Sequence, residues 1–275
     1  MNADPNKLRG LPPIRYINLD RSPERRAFME GQFEEWGIGN VHRFPAVDAG
    51  AFDIKTRFAG RAPARWPDGY LGCMISHFSL IAEWLETTTE PWLMVMEDDC
   101  NLEFAAHWPF DWNDFVAARQ YNWDVLQLSV INDVRMVFRS HHRLRHDWSA
   151  ACYVINRRYA RKLVGLHRDG DRWRFDMTMR NNIENLLFSS GVAITTPLFS
   201  YDNEQGSLLH PDHVESIHVP SDQLYRRFWT EMAPQISDWD AMFNPHGALD
   251  GDEPEREFYI ATMQTGEFGV DRKEG

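Results

Sequence analysis

Residues 92–99, Trp92-Leu93-Met94-Val95-Met96-Glu97-Asp98-Asp99, constrain this chain more than any other stretch. Five large apolar residues follow Pro91 without polar alternation. Such a run reads as a strand covered on both faces, hence as part of an α/β fold with a mostly parallel central sheet. It stops in three adjacent carboxylates, whose mutual repulsion calls for a cation or for hydrogen-bond donors at that end. A solvated acidic turn is the plain alternative to a divalent-metal site. The strand in front favours the metal, because ligand sites of open α/β sheets lie beyond the carboxyl ends of their strands.

With 275 residues, 43% of them hydrophobic and 13% aromatic, the chain is long enough to bury a substantial core. Its formal net charge of −12, with no basic block, argues against a nucleic-acid surface. A phosphate-bearing ligand would need positive charge supplied locally, by a metal on residues 97–99 and a few arginines. The three cysteines, Cys73, Cys100 and Cys152, have no C-x-x-C spacing, so neither a disulfide framework nor a zinc knuckle is indicated and a reducing compartment is expected. The N-terminal residues lack the apolar core of a signal peptide, and no stretch approaches the roughly 18 apolar residues of a membrane span. The expected location is cytoplasmic, which leaves room for peripheral association with a membrane.

In chain order, a polar lead-in over residues 1–13 precedes a first strand at 14–19. Ser22 and Pro23 then suit the start of a helix that Gly37 ends. This strand, turn and helix form a corner typical of nucleotide sites, yet no G-x-G-x-x-G or P-loop is present. A strand at 41–47, an ordered loop at 49–70 and a helix at 71–85 lead into the central strand. The aromatics Trp108, Phe110, Trp112 and Phe115 read as core, with some able to stack on a sugar ring. Further strands are expected at 123–130, 149–155 and 192–199, with a hairpin arm at 134–139 and a mobile loop at 140–146. His142 and His146 have the i, i+4 spacing of a metal pair, but flanking arginines oppose a cation there. Asn156 caps a helix over 157–164, Asp176 opens one through Leu187, and a short amphipathic helix covers 221–232. The acidic tail from Pro234 onward has no readable pattern.

Four stretches in this order resemble glycosyltransferase family 25, which includes lipopolysaccharide and procollagen galactosyltransferases. They are Ile17-Asn18-Leu19-Asp20-Arg21-Ser22-Pro23-Glu24-Arg25-Arg26, Arg43-Phe44-Pro45-Ala46-Val47-Asp48, Gly72-Cys73-Met74-Ile75-Ser76-His77 and Val95-Met96-Glu97-Asp98-Asp99. A weaker fifth is Cys152-Tyr153-Val154-Ile155-Asn156 with the helix after it. The resemblance implies a GT-A-type nucleotide-binding sandwich over residues 14–200, with 201–275 as an acceptor-side loop, helix and tail on the same domain.

It also implies an enzyme, a metal-dependent inverting hexosyltransferase using Mn²⁺ or Mg²⁺ and a UDP-sugar. The acceptor would be a hydroxyl, on a glycan such as lipopolysaccharide in preference to a protein side chain. By the same carry-over Glu97 and Asp99 hold the metal, Asp99 most directly. Asn18, Asp20, Arg25, Asp48, Ser76, His77 and Asp98 stand on the donor side. Asp176 is the implied base that takes the acceptor's proton, with Asp147 in reserve, although an Asp before a helix is equally an N-cap. Rival readings are a nucleotide-sugar-binding relative without activity and a metal-dependent phosphohydrolase. Residues 201–207 show no clear counterpart in the family, so the resemblance speaks to the donor more than to the acceptor.

Overall fold

The computed structural model describes residues 3–59, 66–118, 123–132, 135–175, 182–202, 214–244 and 260–262. β1 (Ile14–Asn18) turns into α1 (Pro23–Glu35), with proline in its first turn. Ser22 holds the N-cap position without a side-chain cap, and its carbonyl instead accepts from Asn18 Nδ2. Gly37, at φ +63°, closes the helix in the left-handed region that glycine enters without steric cost. β2 (Val41–Pro45) and α2 (Asp68–Thr87) follow; the intervening loop holds a 3₁₀ turn at Ile54–Arg57. Next come β3 (Trp92–Glu97), β4 (Cys100–Asn101), α3 (Trp112–Ala117) and β5 (Val125–Gln127). β6 (Arg135–Val137), β7 (His141–His142) and β8 (Cys152–Asn156) precede α4 (Arg157–His167), which Asn156 caps by accepting from Tyr159 N at 2.7 Å. A short hairpin, β9 (Arg168–Asp169) and β10 (Arg172–Trp173), leads to α5 (Ile183–Leu187), β11 (Ala193–Thr195) and β12 (Ser200–Tyr201). α6 (Val219–Arg227), α7 (Trp239–Phe243) and β13 (Ile260–Thr262) end the described chain.

Seven strands form one sheet in the order β2-β1-β3-β8-β5-β11-β7. β2, β1 and β3 run parallel, as do β5 and β11, while β8 is antiparallel to both β3 and β5. The reversal places the start of β8 beside the end of β3, since Met96 pairs with Cys152 and Ile17 with Glu97. One edge of the sheet therefore collects the end of β1, the end of β3 and the segment entering β8.

The apolar run of β3 is explained by two cores. Leu93 and Val95 face the core under α2, α4 and α5, whereas Met94 and Met96 face an aromatic core on the other side. Successive strand residues point to opposite faces, so a strand between two cores must be apolar throughout.

Several sequence expectations change. Residues 135–137 are not one arm of a local hairpin; they pair with β13 near the far end of the chain. His141 and His142 are an edge strand bound antiparallel to β11, not a mobile loop. Trp108, Phe110, Trp112 and Phe115 are all buried, and Phe243 of α7 stands edge-on to Phe110 and Phe115 at 4.7 and 4.8 Å. They are core residues with no face left for a sugar. The helix-opening role of Asp176 lies outside the described residues; α5 itself is capped by Asn182, which accepts from Asn185 N.

Candidate active site

β1 delivers Asn18, 1% exposed, to the collecting edge of the sheet. Its Nδ2 donates to Asp98 Oδ2 at 2.8 Å and its Oδ1 accepts from Arg43 Nε at 2.9 Å. Arg43 also binds the Asn18 carbonyl and the carboxylate of the exposed Asp20. One amide thus ties β1, β2 and the end of β3 together. Asp98 is completed by Arg25, whose NH1 donates to Oδ1 at 2.7 Å and lies 3.5 Å from Asp99 Oδ2. Arg25 is only 4% exposed. Burial opposes its charge, but Asp99 and Asp98 outweigh that and raise its pKa. It therefore acts beneath the acidic cluster instead of reaching into the cleft.

The Gly72-Cys73-Met74-Ile75-Ser76-His77 stretch lies on α2 and serves both neighbours of the cleft. A Cβ on Gly72 would sit 2.7 Å from the Val47 carbonyl, so glycine allows the loop after β2 to approach the helix. Ser76 Oγ donates to Gly72 O at 2.7 Å and accepts from Val47 N at 2.8 Å, which fixes that loop. Asp48 then projects at its end and accepts from Gly50 N and Arg21 Nε; these bonds lower its pKa despite the opposing effect of burial. His77, fully buried, places Nε2 2.9 Å from Glu97 Oε1 and Nδ1 3.1 Å from the Tyr153 hydroxyl. A histidine held at both nitrogens orients the carboxylate it touches. Nothing in the pattern of α2 distinguishes His77 as such a residue, because its partners come from β3 and β8.

These groups border a cleft of about 380 Å³, within the range of small-molecule sites. Asn18, Arg21, Asp48, Ser76, Glu97 and Asp98 line it. Asp99 differs from its neighbours: Oδ1 is buried and has no hydrogen-bond partner. Burial first, then the charge of Glu97, push its carboxyl up to about 7 against the pull of Arg25. An acceptor oxygen left bare beside a second carboxylate fits a hard divalent cation, which prefers charged oxygen ligands. Cys73 Sγ, His77 and Glu97 also converge, with ligand atoms within 4.8 Å of one another. Burial raises the Cys73 thiol well above its ordinary pKa, which disfavours the thiolate a metal requires.

Of the two proposed bases, Asp176 lies outside the described residues. Asp147 is buried, and its Oδ2 alone collects the Leu144 N–H at 2.7 Å, Thr195 Oγ1 at 3.0 Å and His141 Nε2 at 3.1 Å.

An α/β sandwich of GT-A-like type, with an acidic strand end beside a cleft, is the class that fold and site define. Within that class the chain belongs to glycosyltransferase family 25: the model of that family, described as "Glycosyltransferase family 25 (LPS biosynthesis protein)", matches residues 12–179. A "Glycosyltransferase 25 family member" of Aedes aegypti is 34% identical over 110 residues, covering 36% of this chain and 18% of that protein. Its Drosophila melanogaster counterpart is 32% identical over 106 residues, covering 34% of this chain and 17% of the fly protein. The chain thus matches less than a fifth of the length of either relative. Among the described residues no helix is long and apolar enough to cross a membrane.

Proposed function

We propose that the chain is an inverting hexosyltransferase that moves galactose or glucose from a UDP-sugar to a hydroxyl of a glycan. The observation that carries this reading is the bare, buried Asp99 Oδ1, two residues after Glu97, which itself lines the cleft. Glu97 and Asp99 would hold Mn²⁺ or Mg²⁺, which offsets the charge developing on the departing diphosphate. His77 keeps Glu97 aimed at that position, and Arg25 with Asn18 keeps Asp98 neutralised so that the cluster tolerates its own charge. The nucleoside would lie in the cleft between the ends of β1 and β2 and the start of α2, near Asp48. Family membership supports the transfer chemistry, and the family's association with LPS biosynthesis supports a lipopolysaccharide-type acceptor.

Residues 14–200 would form the donor-binding part and residues from 201 onward the acceptor side, working in the cytoplasm. The acceptor hydroxyl attacks from the face opposite the diphosphate, and a carboxylate receives its proton; Asp176 and Asp147 are the sequence-derived candidates. The test is UDP release from UDP-galactose and UDP-glucose with Mn²⁺, across a panel of saccharide acceptors. Release that depends on both metal and acceptor is the expected result. No consumption and no metal-dependent binding of either donor would overturn the proposal.

A further inference from the structure

Glu184 is a carboxylate that neither the acidic motif nor the helix pattern singles out. It lies on α5, which is docked against α2 by the Ile183 N–H donating to the Tyr70 hydroxyl at 2.7 Å. Its Oε1 accepts from the Ser149 N–H at 3.1 Å. Ser149 has φ +103°, a conformation a non-glycine residue rarely adopts, and it precedes by two residues the Ala151 carbonyl that accepts from Glu97 N at 2.8 Å. The segment entering β8 thus links Glu184 at one end to the strand-end carboxylates at the other. Glu97 is close enough for its charge to act on Glu184, and both act on Cys73 between them.

Glu184 Oε2 is buried without a hydrogen-bond partner, and so is Nε of the neighbouring Arg143. Arg143 spends its other donors on Asn185 Oδ1 and the Asp147 carbonyl, with its guanidinium 5.3 Å from the centre of the Phe188 ring. Both bare atoms are buried, and each keeps a hydrogen-bonding capacity that no group among the described residues fills. A saccharide hydroxyl suits both: it donates to a carboxylate and accepts from a guanidinium.

We propose that Glu184, in preference to Asp176 or Asp147, receives the acceptor hydroxyl and takes its proton, while Arg143 fixes the oxygen. The inference rests on the transferase reading above. In the step, the acceptor oxygen forms a bond to the anomeric carbon as its proton passes to Glu184 Oε2. The bond from that carbon to the diphosphate oxygen breaks, its electron pair leaves with UDP, and Glu184 later returns the proton to water. Water in place of the acceptor gives donor hydrolysis through the same group. Burial raises the pKa of Glu184, a direction that suits a base working near neutrality.

The test compares the full-length protein with Glu184→Gln, using Mn²⁺ and UDP-galactose or UDP-glucose, with a saccharide acceptor or with water alone. The expected result is a loss on the order of 10²–10⁴-fold in kcat, with UDP-sugar affinity and Tm preserved. The acid limb of the wild-type pH–rate profile should disappear in the variant, which a purely structural role would not produce. Transfer or hydrolysis within a few-fold of wild type would overturn the assignment. So would normal Glu184→Gln activity beside an inactive Asp176→Asn, which would return the role to Asp176. A wild-type protein that neither binds nor consumes either donor would instead sink the transferase reading itself.

Discussion

At the residue scale, the three carboxylates after β3 are chemically similar and structurally distinct. Glu97 is oriented by His77, Asp98 is consumed by Asn18 and Arg25, and Asp99 keeps one oxygen bare. Asp99 carries a pH signature. Its folded pKa of about 7 lies above the ordinary 3.8, so its protonated form contributes stability in full below 3.8, and that contribution is lost as pH rises through about 7. The metal-free protein should therefore lose stability as pH rises between 3.8 and about 7, with little further change above that. Asp99→Asn should flatten that loss and also abolish metal-dependent UDP-sugar binding; melting curves at both ends of that range and a binding titration with Mn²⁺ check the two halves. Arg25→Ala should behave differently. It leaves Asp98 without its buried partner, so stability should fall by about 3–5 kcal/mol as measured by denaturant unfolding. A variant that unfolds normally yet binds donor weakly would show that Arg25 reaches the ligand after all.

At the scale of elements, the site depends on α2 lying close to the loop after β2. Gly72 and Ser76 enforce that distance from one helix face, four residues apart. Gly72→Ala would place a methyl against the Val47 carbonyl, and neither backbone can yield without moving the loop that carries Asp48. The expected cost is about 1–3 kcal/mol, the usual range for overpacking. UDP-sugar affinity should fall with it, read by calorimetry against the Tm change. Unchanged affinity would mean that the 46–50 loop does not border the donor.

At the scale of the whole molecule, residues 214–244 complete the aromatic core. Phe228 stacks on Phe138 at 3.9 Å, Phe243 packs on Phe110 and Phe115, and the Ser140 N–H donates to the Met242 carbonyl. Phe243→Ala should cost about 3–5 kcal/mol of stability, as other deletions of large buried aromatics do. Mn²⁺-dependent donor binding at a temperature well below the lowered Tm should be retained, because the acidic cluster is held by β1, β3 and α1. Thermal melts with and without donor separate the two effects.

The sequence by itself determined the strand ending in Glu97-Asp98-Asp99, the corner from β1 into α1 and the Asn156-capped helix. Each of these rests on local rules: an apolar run between breakers, a proline in the first helical turn, a side chain that reaches its own backbone three residues on. Only the tertiary structure decided which carboxylate is neutralised and which is bare, because Asn18 and Arg25 reach Asp98 across 80 and 73 residues of chain. The same holds for the pairing of β6 with β13 and for the meeting of Glu184, Ser149 and Arg143. Hydrogen-bond satisfaction and desolvation belong to the packed interior, and neither has a periodicity that a linear sequence can display.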